Sequence, residues 1–284
     1  MTMYGVTGAT GQLGRFALDE LLETVAPGDI VAFGRDLSKL EAYGAKGVTL
    51  RTIDYDAPET LAPALQGVDR LLLISGSALG QRPRQHGNVI DAAVEAGVSY
   101  IAYTSILNAQ DTPIKLGAEH KATEGKLAEC GIAYDLCRMG WYNENYVSAL
   151  GPQVEAGVIT GAQGKGRISS ASRADLAAGA AAVLVNGKGG EIYNLAGDES
   201  WTMDDFAAEV SRQTGREVRY RDMGEAEFAQ SLLDVGFPEV YAPVFANSAF
   251  ATSKGALYDD SRTLSRLTGR PTTPISETIA KALG

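Results

Sequence analysis

The sequence predicts an α/β protein with a parallel β-sheet covered by helices on both faces, followed by a smaller C-terminal α+β domain. In the first half of the 284-residue chain, short apolar runs alternate with amphipathic segments, as parallel strands and crossover helices require. The first apolar run leads into a glycine-rich turn and then into a helix. Beyond about residue 140 the alternation weakens. These observations together indicate a doubly wound sheet of the Rossmann type.

Each element of the first half follows from its local pattern. Short apolar runs predict strands at residues 3–7, 29–34, 48–53, 70–75, 99–104 and 134–138. Apolar residues between positions 13 and 25 recur at helical spacing and predict the first crossover helix. Further helices are expected at residues 58–66, 84–96 and 118–130. The last of them ends at Gly131, where a left-handed C-cap residue is expected.

The second half gives fewer but still distinct signals. We expect a helix over residues 173–185, a strand at EIYNL, and a helix opened by a capping box of Thr202 and Asp205. The tail from about residue 216 is predicted to alternate short strands and helices. We therefore expect residues 1–150 to form the dinucleotide-binding domain and residues 151–284 to supply the remaining sheet elements and a smaller substrate or cap domain.

Composition excludes several classes of function. A net charge of −10 argues against a general nucleic-acid or membrane-surface binder, because both need a basic face. No leader or membrane-spanning run is visible, which predicts a cytoplasmic protein. The two cysteines, Cys130 and Cys137, form no CxxC pair, and the histidines are only His86 and His120, so no metal site is expected.

The glycine-rich turn TGATGQLG predicts a dinucleotide site. Gly8, Gly11 and Gly14 are spaced as GxxGxxG between a strand and a helix, which permits a tight turn and close approach of backbone to a pyrophosphate. The N-terminus of the helix then offers free N–H groups to the phosphates. The residues expected to contact them are Gly8, Ala9, Thr10, Gly11, Gln12, Leu13 and Gly14.

The end of the second strand predicts which dinucleotide binds. An acid at this point favours NAD, because it accepts hydrogen bonds from the ribose hydroxyls, but the run VAFGRDLSK presents Arg35 instead. A guanidinium donates two hydrogen bonds to a 2′-phosphate, and Lys39 adds a second cation one turn later. Asp36 opposes this arrangement if its side chain points inward. The expected cofactor is NADPH.

The other strand ends are expected to face the same cofactor, because ligands of open parallel sheets lie at the carboxyl edge. Asp54 follows the third strand, and small residues follow the fourth. The fifth ends in Tyr103, Thr104 and Ser105. We expect cofactor contacts from Asp54, Ser75, Gly76, Ser77 and Thr104, and a substrate contact from Ser105.

Six segments, in chain order, carry a resemblance to a known family: TGATGQLG, LLLISGS, QHGNVIDAA, IAYTS, RMGWYNENY and SRADLAAGAAAVL. The chain resembles the type 2 NADPH:quinone oxidoreductases of the NmrA-like, atypical short-chain dehydrogenase/reductase group over essentially its whole length. It is also similar to triphenylmethane-dye reductases. The resemblance implies a monomer or small oligomer, a homodimer included, with a small-molecule substrate in the cleft between the two domains.

The resemblance also implies roles for particular residues. Gly140 and Trp141 match a stretch that lines the cofactor, and Tyr142 and Asn143 match its continuation toward the substrate. Phe237 belongs to an apolar wall of the cap, with Pro238, Tyr241 and Phe245. Arg173 and Asp175 match a pair that opens the later helix, which we interpret as an ion pair or cap that holds the domains together.

The catalytic acid of ordinary short-chain dehydrogenases is missing. Leu116 and His120 stand where the YxxxK spacing would place tyrosine and lysine. A quinone delocalises the arriving charge and takes its proton from water, so this absence favours a quinone-like acceptor. His120 and Tyr142 are the candidate catalytic side chains, although a histidine satisfied by its surroundings and a core tyrosine are equally open readings.

The sequence therefore predicts an NADPH-dependent oxidoreductase that transfers hydride to a planar, quinone-like acceptor without flavin or metal. Two alternatives stay open. One is an NADPH-dependent aldehyde, ketone or dye reductase that uses His120 or Tyr142 as proton donor. The other is a regulator that senses NADP(H) without turnover, because fold alone does not separate binding from catalysis.

Overall fold

The computed structural model describes residues 1–284 and contains nine strands. They are β1 (Tyr4–Val6), β2 (Ile30–Gly34), β3 (Thr49–Thr52), β4 (Arg70–Leu73), β5 (Tyr100–Ile106), β6 (Ala133–Met139), β7 (Val158–Gly161), β8 (Ile192–Leu195) and β9 (Arg219–Asp222). The α-helices are α1 (Gln12–Leu22), α2 (Glu41–Gly44), α3 (Pro58–Leu65), α4 (Arg82–Glu95), α5 (Gly117–Glu129), α6 (Glu144–Val147), α7 (Leu150–Ala156), α8 (Arg173–Asn186), α9 (Met203–Thr214), α10 (Glu225–Asp234), α11 (Ala242–Thr252), α12 (Thr263–Thr268) and α13 (Ile275–Leu283).

Seven strands form one parallel sheet in the order β3-β2-β1-β4-β5-β6-β8. The chain winds outward from β1 to β3 and then crosses back to β4, so the strand order reverses between β1 and β4. In doubly wound sheets the ligand crevice lies at such a switch point, outside the carboxyl ends of the strands. The predicted Rossmann-type fold is confirmed.

Helices cover both faces of this sheet, so the central strands β2, β4 and β5 are buried on both sides. In β4, Leu72 points into the core beneath α1 and α8, whereas Leu71 and Leu73 point into the core beneath α3, α4 and α5. Helix α8 and strand β8 come from the second half of the chain, yet they complete the first layer and the edge of the sheet. The expected division of the chain into residues 1–150 and 151–284 stays a prediction.

The remaining C-terminal residues form a smaller α+β unit. Strands β7 and β9 pair in parallel, and α7, α9 and α13 pack around them over a core that includes Trp201, Phe206 and Ile279. Helix α9 begins at the predicted capping box: Thr202 Oγ1 accepts the Asp205 N–H, and the Asp205 carboxylate accepts the Thr202 N–H. This cap satisfies two amide groups that the first turn of a helix leaves without partners.

Three sequence-based expectations are wrong in detail. Strand β5 extends to Ile106, so Thr104 and Ser105 lie inside the sheet and not in the turn beyond it. Strand β7 was not predicted, because it lies in the second half of the chain, where the alternation of apolar runs and amphipathic segments weakens. Beyond β9 the tail is helical only, and its alanine-rich α11 follows helix propensity. No helix combines the length and apolar character needed to cross a membrane.

Candidate cofactor and substrate site

The glycine turn between β1 and α1 brings backbone and helix into close contact. Gly8 has a φ of +61°, a conformation that glycine adopts without a steric penalty. A Cβ on Gly14 would lie 2.4 Å from the carbonyl oxygen of Gly8 and 2.7 Å from the Cα of Ala9. Glycine at position 14 is therefore required for α1 to pack on the turn.

The first turn of α1 offers unpaired backbone donors. Gly11 is the N-cap residue and provides no side-chain hydrogen bond. The amides of Gln12, Leu13 and Gly14 make no hydrogen bond within the chain. Because such a helix end also carries the positive pole of the helix dipole, it suits a phosphate or pyrophosphate group. The turn therefore fits a dinucleotide cofactor.

Arg35 follows β2 at the same edge of the sheet and is exposed, with no hydrogen bond to another residue. Asp36 is turned toward its own helical turn: its carboxylate accepts hydrogen bonds from the amide and hydroxyl of Ser38. Lys39 lies 3.8 Å from that carboxylate, so part of its charge is already paired. Arg35 is therefore the cation that remains available for a 2′-phosphate.

The segment after β4 is tied to β5 through Thr104. The Ser75 amide donates to Thr104 Oγ1 at 2.8 Å, and the Thr104 hydroxyl faces Ser75 Oγ at 3.3 Å. Thr104 is 2% exposed. The Thr104 side chain is thus engaged within the sheet by the Ser75 amide, and its expected cofactor contact stays a prediction. Gly76 and Ser77 continue the segment toward solvent.

Ser105 does not make the substrate contact expected of it. Its buried hydroxyl donates to Glu124 Oε1 at 2.6 Å, and Glu124 also receives two hydrogen bonds from Arg138 and one from Gln110. Burial acts to raise the pKa of Glu124, but these hydrogen bonds outweigh it and hold the pKa below its usual value. The sequence-based error arises because β5 is longer than predicted, which leaves Ser105 beneath α5.

The side chain of Asn143 is also fully hydrogen-bonded within the protein. It is fully buried; its amide nitrogen donates to the carbonyl of Thr273 and the hydroxyl of Thr278, and its amide oxygen accepts from Ser170. Its expected substrate contact is therefore corrected to a structural role that joins the segment after β6 to α13. Local sequence patterns do not record Thr273 and Thr278, partners that lie more than a hundred residues away.

Gly140 and Trp141 leave β6 at the carboxyl edge. The Gly140 amide donates to the carbonyl of Leu195, and a Cβ at this position would lie 3.1 Å from the carbonyl oxygen of Ser169. Trp141 packs against a small apolar cluster that joins the end of β5 to α11. Their expected cofactor contacts stay predictions, as does that of Asp54, whose carboxylate accepts the amide of Asp56 just beyond β3.

His120 lies on α5, 5% exposed, with its Nδ1 at 2.8 Å from the hydroxyl of Tyr103. Burial, together with the charge of Arg82 and the nearby His86, lowers the pKa of His120 to about 3. The ring is therefore neutral at physiological pH. His120 cannot serve there as an imidazolium acid, which corrects that part of the sequence-based prediction.

The tautomer of His120 follows from its neighbour. The Tyr103 side chain is fully buried, and His120 Nδ1 is the one hydrogen-bond partner of its hydroxyl at ordinary geometry. Because a buried hydroxyl hydrogen needs an acceptor, we assign Tyr103 as the donor and Nδ1 as the acceptor. The hydrogen of the ring then sits on Nε2, which makes no hydrogen bond within the chain and keeps contact with solvent.

Tyr142 follows β6 and lies under the guanidinium of Arg173, 4.5 Å from its ring centroid. Burial raises the pKa of the Tyr142 hydroxyl, so it keeps its proton at neutral pH. Arg173 also lies 3.8 Å from Glu144, while Asp175 accepts from Ser172 and from the amide of Thr273. The expected Arg173–Asp175 ion pair is absent, but both residues join α8 to other segments.

Sequence reasoning missed a pair of buried polar side chains on α4. Arg82 and His86 lie one turn apart on α4, 7% and 0% exposed, and both contact the backbone of Gly76. Arg82 Nη1 lies 3.5 Å from Glu119 Oε2, and neither atom has a hydrogen bond. The available signal was the spacing in RPRQH, which places a charge and an imidazole on one helix face.

The apolar wall of the cap is only partly formed. Phe237 lies in the turn between α10 and α11, with its ring centroid 4.9 Å from that of Phe245 in an edge-to-face arrangement. Tyr241 and Phe245 are 38% and 43% exposed. The predicted substrate contact of Phe237 stays a prediction. No group of three His, Cys, Asp or Glu side chains lies close enough together to hold a metal ion.

These features define a dinucleotide-binding α/β protein, and comparison with known proteins agrees. The chain belongs to the NAD(P)H-binding family, whose model matches residues 8–187. It is 49% identical to quinone oxidoreductase 2 of Escherichia coli over 279 residues, 98% of each chain. The predicted resemblance to type 2 quinone oxidoreductases is confirmed, and with it the assignment to NADPH-dependent oxidoreductases.

Two solved structures show the same architecture. The Escherichia coli NADPH-dependent quinone oxidoreductase complexed with NADPH superposes with a TM-score of 0.97 at 48% identity, over 99% of this chain and 100% of that one. The Citrobacter triphenylmethane reductase complexed with NADP(H) superposes with a TM-score of 0.94 at 36% identity, over 98% and 99% of the two chains. Because the chain is similar to both a quinone reductase and a dye reductase, the choice between these acceptors depends on the residues of the site.

Proposed function

We propose that this protein is an NADPH-dependent oxidoreductase that reduces a quinone to a hydroquinone. The observation that carries the choice of acceptor is the neutral imidazole of His120, which stands where other short-chain dehydrogenases have a charged lysine. A simple ketone needs a proton donor at its oxygen as it is reduced, whereas a quinone spreads the charge over its ring. A site that offers neutral donors suits the quinone.

The cofactor is held by backbone and by one exposed cation. The free amides of Gln12, Leu13 and Gly14 bind the pyrophosphate, and Arg35 binds the 2′-phosphate, with Lys39 in a supporting role. Asp54, the segment Ser75–Ser77, and Gly140 with Trp141 line the rest of the crevice at the carboxyl edge of the sheet. When bound, NADPH supplies the hydride.

The acceptor is oriented by neutral groups. The Nε2–H of His120 donates a hydrogen bond to the quinone oxygen that gains charge, and Tyr103 holds the ring in that tautomer. Tyr142 presents a protonated hydroxyl nearby, and Phe237 closes the apolar side of the cleft. The second hydrogen of the hydroquinone comes from solvent as a proton. Catalysis then rests on orientation more than on acid catalysis.

A dye reductase is the second candidate, and the similarity to the Citrobacter triphenylmethane reductase favours it. A cationic dye also accepts hydride without a proton donor, so the same neutral site serves it. The two activities differ in the charge of the acceptor. A panel of acceptors that contains both quinones and cationic dyes separates them.

The proposal is tested by mixing the purified protein with NADPH and, separately, benzoquinones, naphthoquinones, triphenylmethane dyes and aldehydes, and following nicotinamide absorbance. Quinone-dependent oxidation at the highest kcat/KM supports the proposal. Preference for dyes or aldehydes overturns the choice of acceptor. Tight NADPH binding with no oxidation by any of them overturns the enzyme assignment and leaves a cofactor sensor.

Three further properties belong to the same proposal: membership of the short-chain dehydrogenase/reductase superfamily, a cytoplasmic location and a homodimeric state. The topology supports the first of them, and the acidic composition is compatible with the second. Light scattering on the eluate of a sizing column measures the oligomeric state directly. A mass of one chain at micromolar concentration contradicts the homodimer.

A further inference from the structure

Both polar backbone groups of Gly76 are held by side chains of one helix. The Gly76 amide donates to Nε2 of His86 at 3.1 Å, and its carbonyl oxygen accepts from Nε of Arg82 at 2.6 Å. Arg82 lies in the first turn of α4 and His86 one turn later, so the two side chains share a face of the helix. We call this arrangement the Gly76 clamp.

The hydrogen bonds of the clamp fix the state of His86. Because Nε2 accepts from Gly76, the ring hydrogen lies on Nδ1, which donates to the hydroxyl of Thr123 at 3.0 Å. Thr123 in turn donates to the carbonyl of Glu119. Burial and the charge of Arg82 lower the pKa of His86 to about 4, so the acceptor is present at neutral pH.

The clamp replaces the pairing that the sheet no longer provides. Strand β4 ends at Leu73, and the next residues leave the sheet at its carboxyl edge. Their amides are held instead by side chains: that of Ser75 by Thr104, that of Gly76 by His86, and that of Gly80 by Glu119. The segment is thus fixed from β5, α4 and α5 at once.

A buried arginine is a costly way to hold one carbonyl, because its charge leaves water and its Nη1 has no hydrogen-bond partner, although the Glu119 carboxylate at 3.5 Å offsets part of the cost. Such a cost in stability is consistent with a role in which the exact position of the Gly76 peptide matters for function. The segment lies at the switch-point edge of the sheet, beside the strand end that carries Thr104. There a small displacement changes the orientation of a bound ligand.

We propose that Arg82 and His86 are positioning residues that fix the Ser75–Ser77 segment as a rigid seat for the nicotinamide half of NADPH. This inference rests on the proposed function. Neither side chain touches the cofactor; both act through the Gly76 peptide. The adenine half is held independently by the glycine turn and Arg35, so loss of the clamp affects turnover more than affinity.

The first experiment measures rates and binding in variants of the clamp. His86→Leu and Arg82→Gln should lower kcat about 10- to 100-fold, the effect of a misplaced reactive group, with less than about a threefold change in the calorimetric Kd for NADPH. His86→Gln returns an acceptor toward Gly76 and should recover most of kcat, whereas the shorter His86→Asn reaches only toward Thr123 and should not. Arg84→Gln, an exposed arginine on the same helix, is the control.

The second experiment does not depend on turnover. Amide hydrogen exchange of residues 74–80 should be slow in the cofactor-free wild type and at least about tenfold faster in His86→Leu and Arg82→Gln. Arg84→Gln should match the wild type. Unchanged exchange in both clamp variants overturns the proposed rigidity, and unchanged kcat overturns the positioning role.

The two experiments separate failure of this inference from failure of the proposed function. A wild type that binds no NADPH or oxidises none with any quinone overturns the function, and with it the nicotinamide seat. A wild type that reduces quinones, with variants that keep its kcat, overturns the clamp alone. Equal losses of kcat in His86→Gln and His86→Leu also contradict the clamp, because the hydrogen bond to Gly76 would then not be what matters.

Discussion

The hydroxyl of Tyr103 and Nδ1 of His120 lie 2.8 Å apart in a buried contact between β5 and α5. This contact places the hydrogen of the neutral His120 ring on Nε2, from which it can be donated. Removal of the His120 side chain should therefore weaken the stabilisation of negative charge on the quinone oxygen. We expect His120→Phe to lower kcat about 10- to 100-fold with quinones, because one donor to a developing oxyanion is lost.

The control for this prediction is Tyr103→Phe, which leaves the ring of His120 in place but removes the hydroxyl that sets its tautomer. It should lower kcat less than His120→Phe does. Stopped-flow measurement of NADPH oxidation checks both variants. Wild-type kcat in His120→Phe would show that the histidine is only part of the core.

Acid should weaken the folded state through its two histidines. Their pKa values are lowered in the fold, to about 4 for His86 and about 3 for His120, because both rings are buried near Arg82. The unfolded chain, with histidine pKa values of about 6.5, therefore binds more protons as pH falls below that value. Stability is fully present above about pH 6.5 and is lost as pH falls toward the folded values.

The expected loss is about 1.4 kcal/mol per pH unit for each histidine once pH is below about 6. Urea unfolding at about pH 7, 6 and 5 measures it, before most carboxylates titrate. A His86→Gln/His120→Gln variant should show a flatter dependence over the same interval. An equally steep curve in that variant would assign the effect to other groups.

Arg35 should decide between the two pyridine cofactors. Arg35→Ala is expected to raise the Kd for NADPH about 10- to 100-fold, the worth of a charged hydrogen-bonded contact, and to leave the Kd for NADH almost unchanged. Lys39→Ala should have a smaller effect, since Asp36 already pairs with that lysine. Calorimetry with both cofactors checks the prediction. Equal losses for NADPH and NADH would contradict it.

Gly14 should tolerate no side chain. Gly14→Ala places a Cβ at 2.4 Å from the Gly8 carbonyl oxygen, so α1 must shift away from the turn. We expect a loss of about 2 kcal/mol or more in the free energy of unfolding and a loss of NADPH binding. The matched control is Gly125→Ala, in an open position on α5. Alanine there should raise the free energy of unfolding by about 0.5 to 1 kcal/mol.

Ser105 should matter for stability and not for the substrate. Its hydroxyl is engaged by Glu124, so Ser105→Ala should cost about 1 kcal/mol of unfolding free energy and leave the quinone KM within about twofold. Ser77→Ala, at an exposed serine of the proposed cofactor seat, should leave the free energy of unfolding almost unchanged and raise the KM for NADPH. A large rise in quinone KM for Ser105→Ala would restore the substrate contact that the structure argues against.

Local pattern determined much of this protein. The alternation of apolar runs, the spacing of Gly8, Gly11 and Gly14, and the Thr202–Asp205 capping box predicted the sheet, the cofactor turn and a helix start, because each depends on residues close in the chain. The cation at position 35 indicated the cofactor for the same reason, since it directly follows its strand.

Tertiary structure alone decided how the polar side chains near the site are used. Ser105, Asn143 and Thr104 were expected to face ligands, but each is satisfied by a partner from a distant segment. The clamp of Arg82 and His86 on Gly76 was not foreseen at all. A buried polar group must find a hydrogen-bond partner, and that partner is set by packing across the whole chain, which no local spacing records.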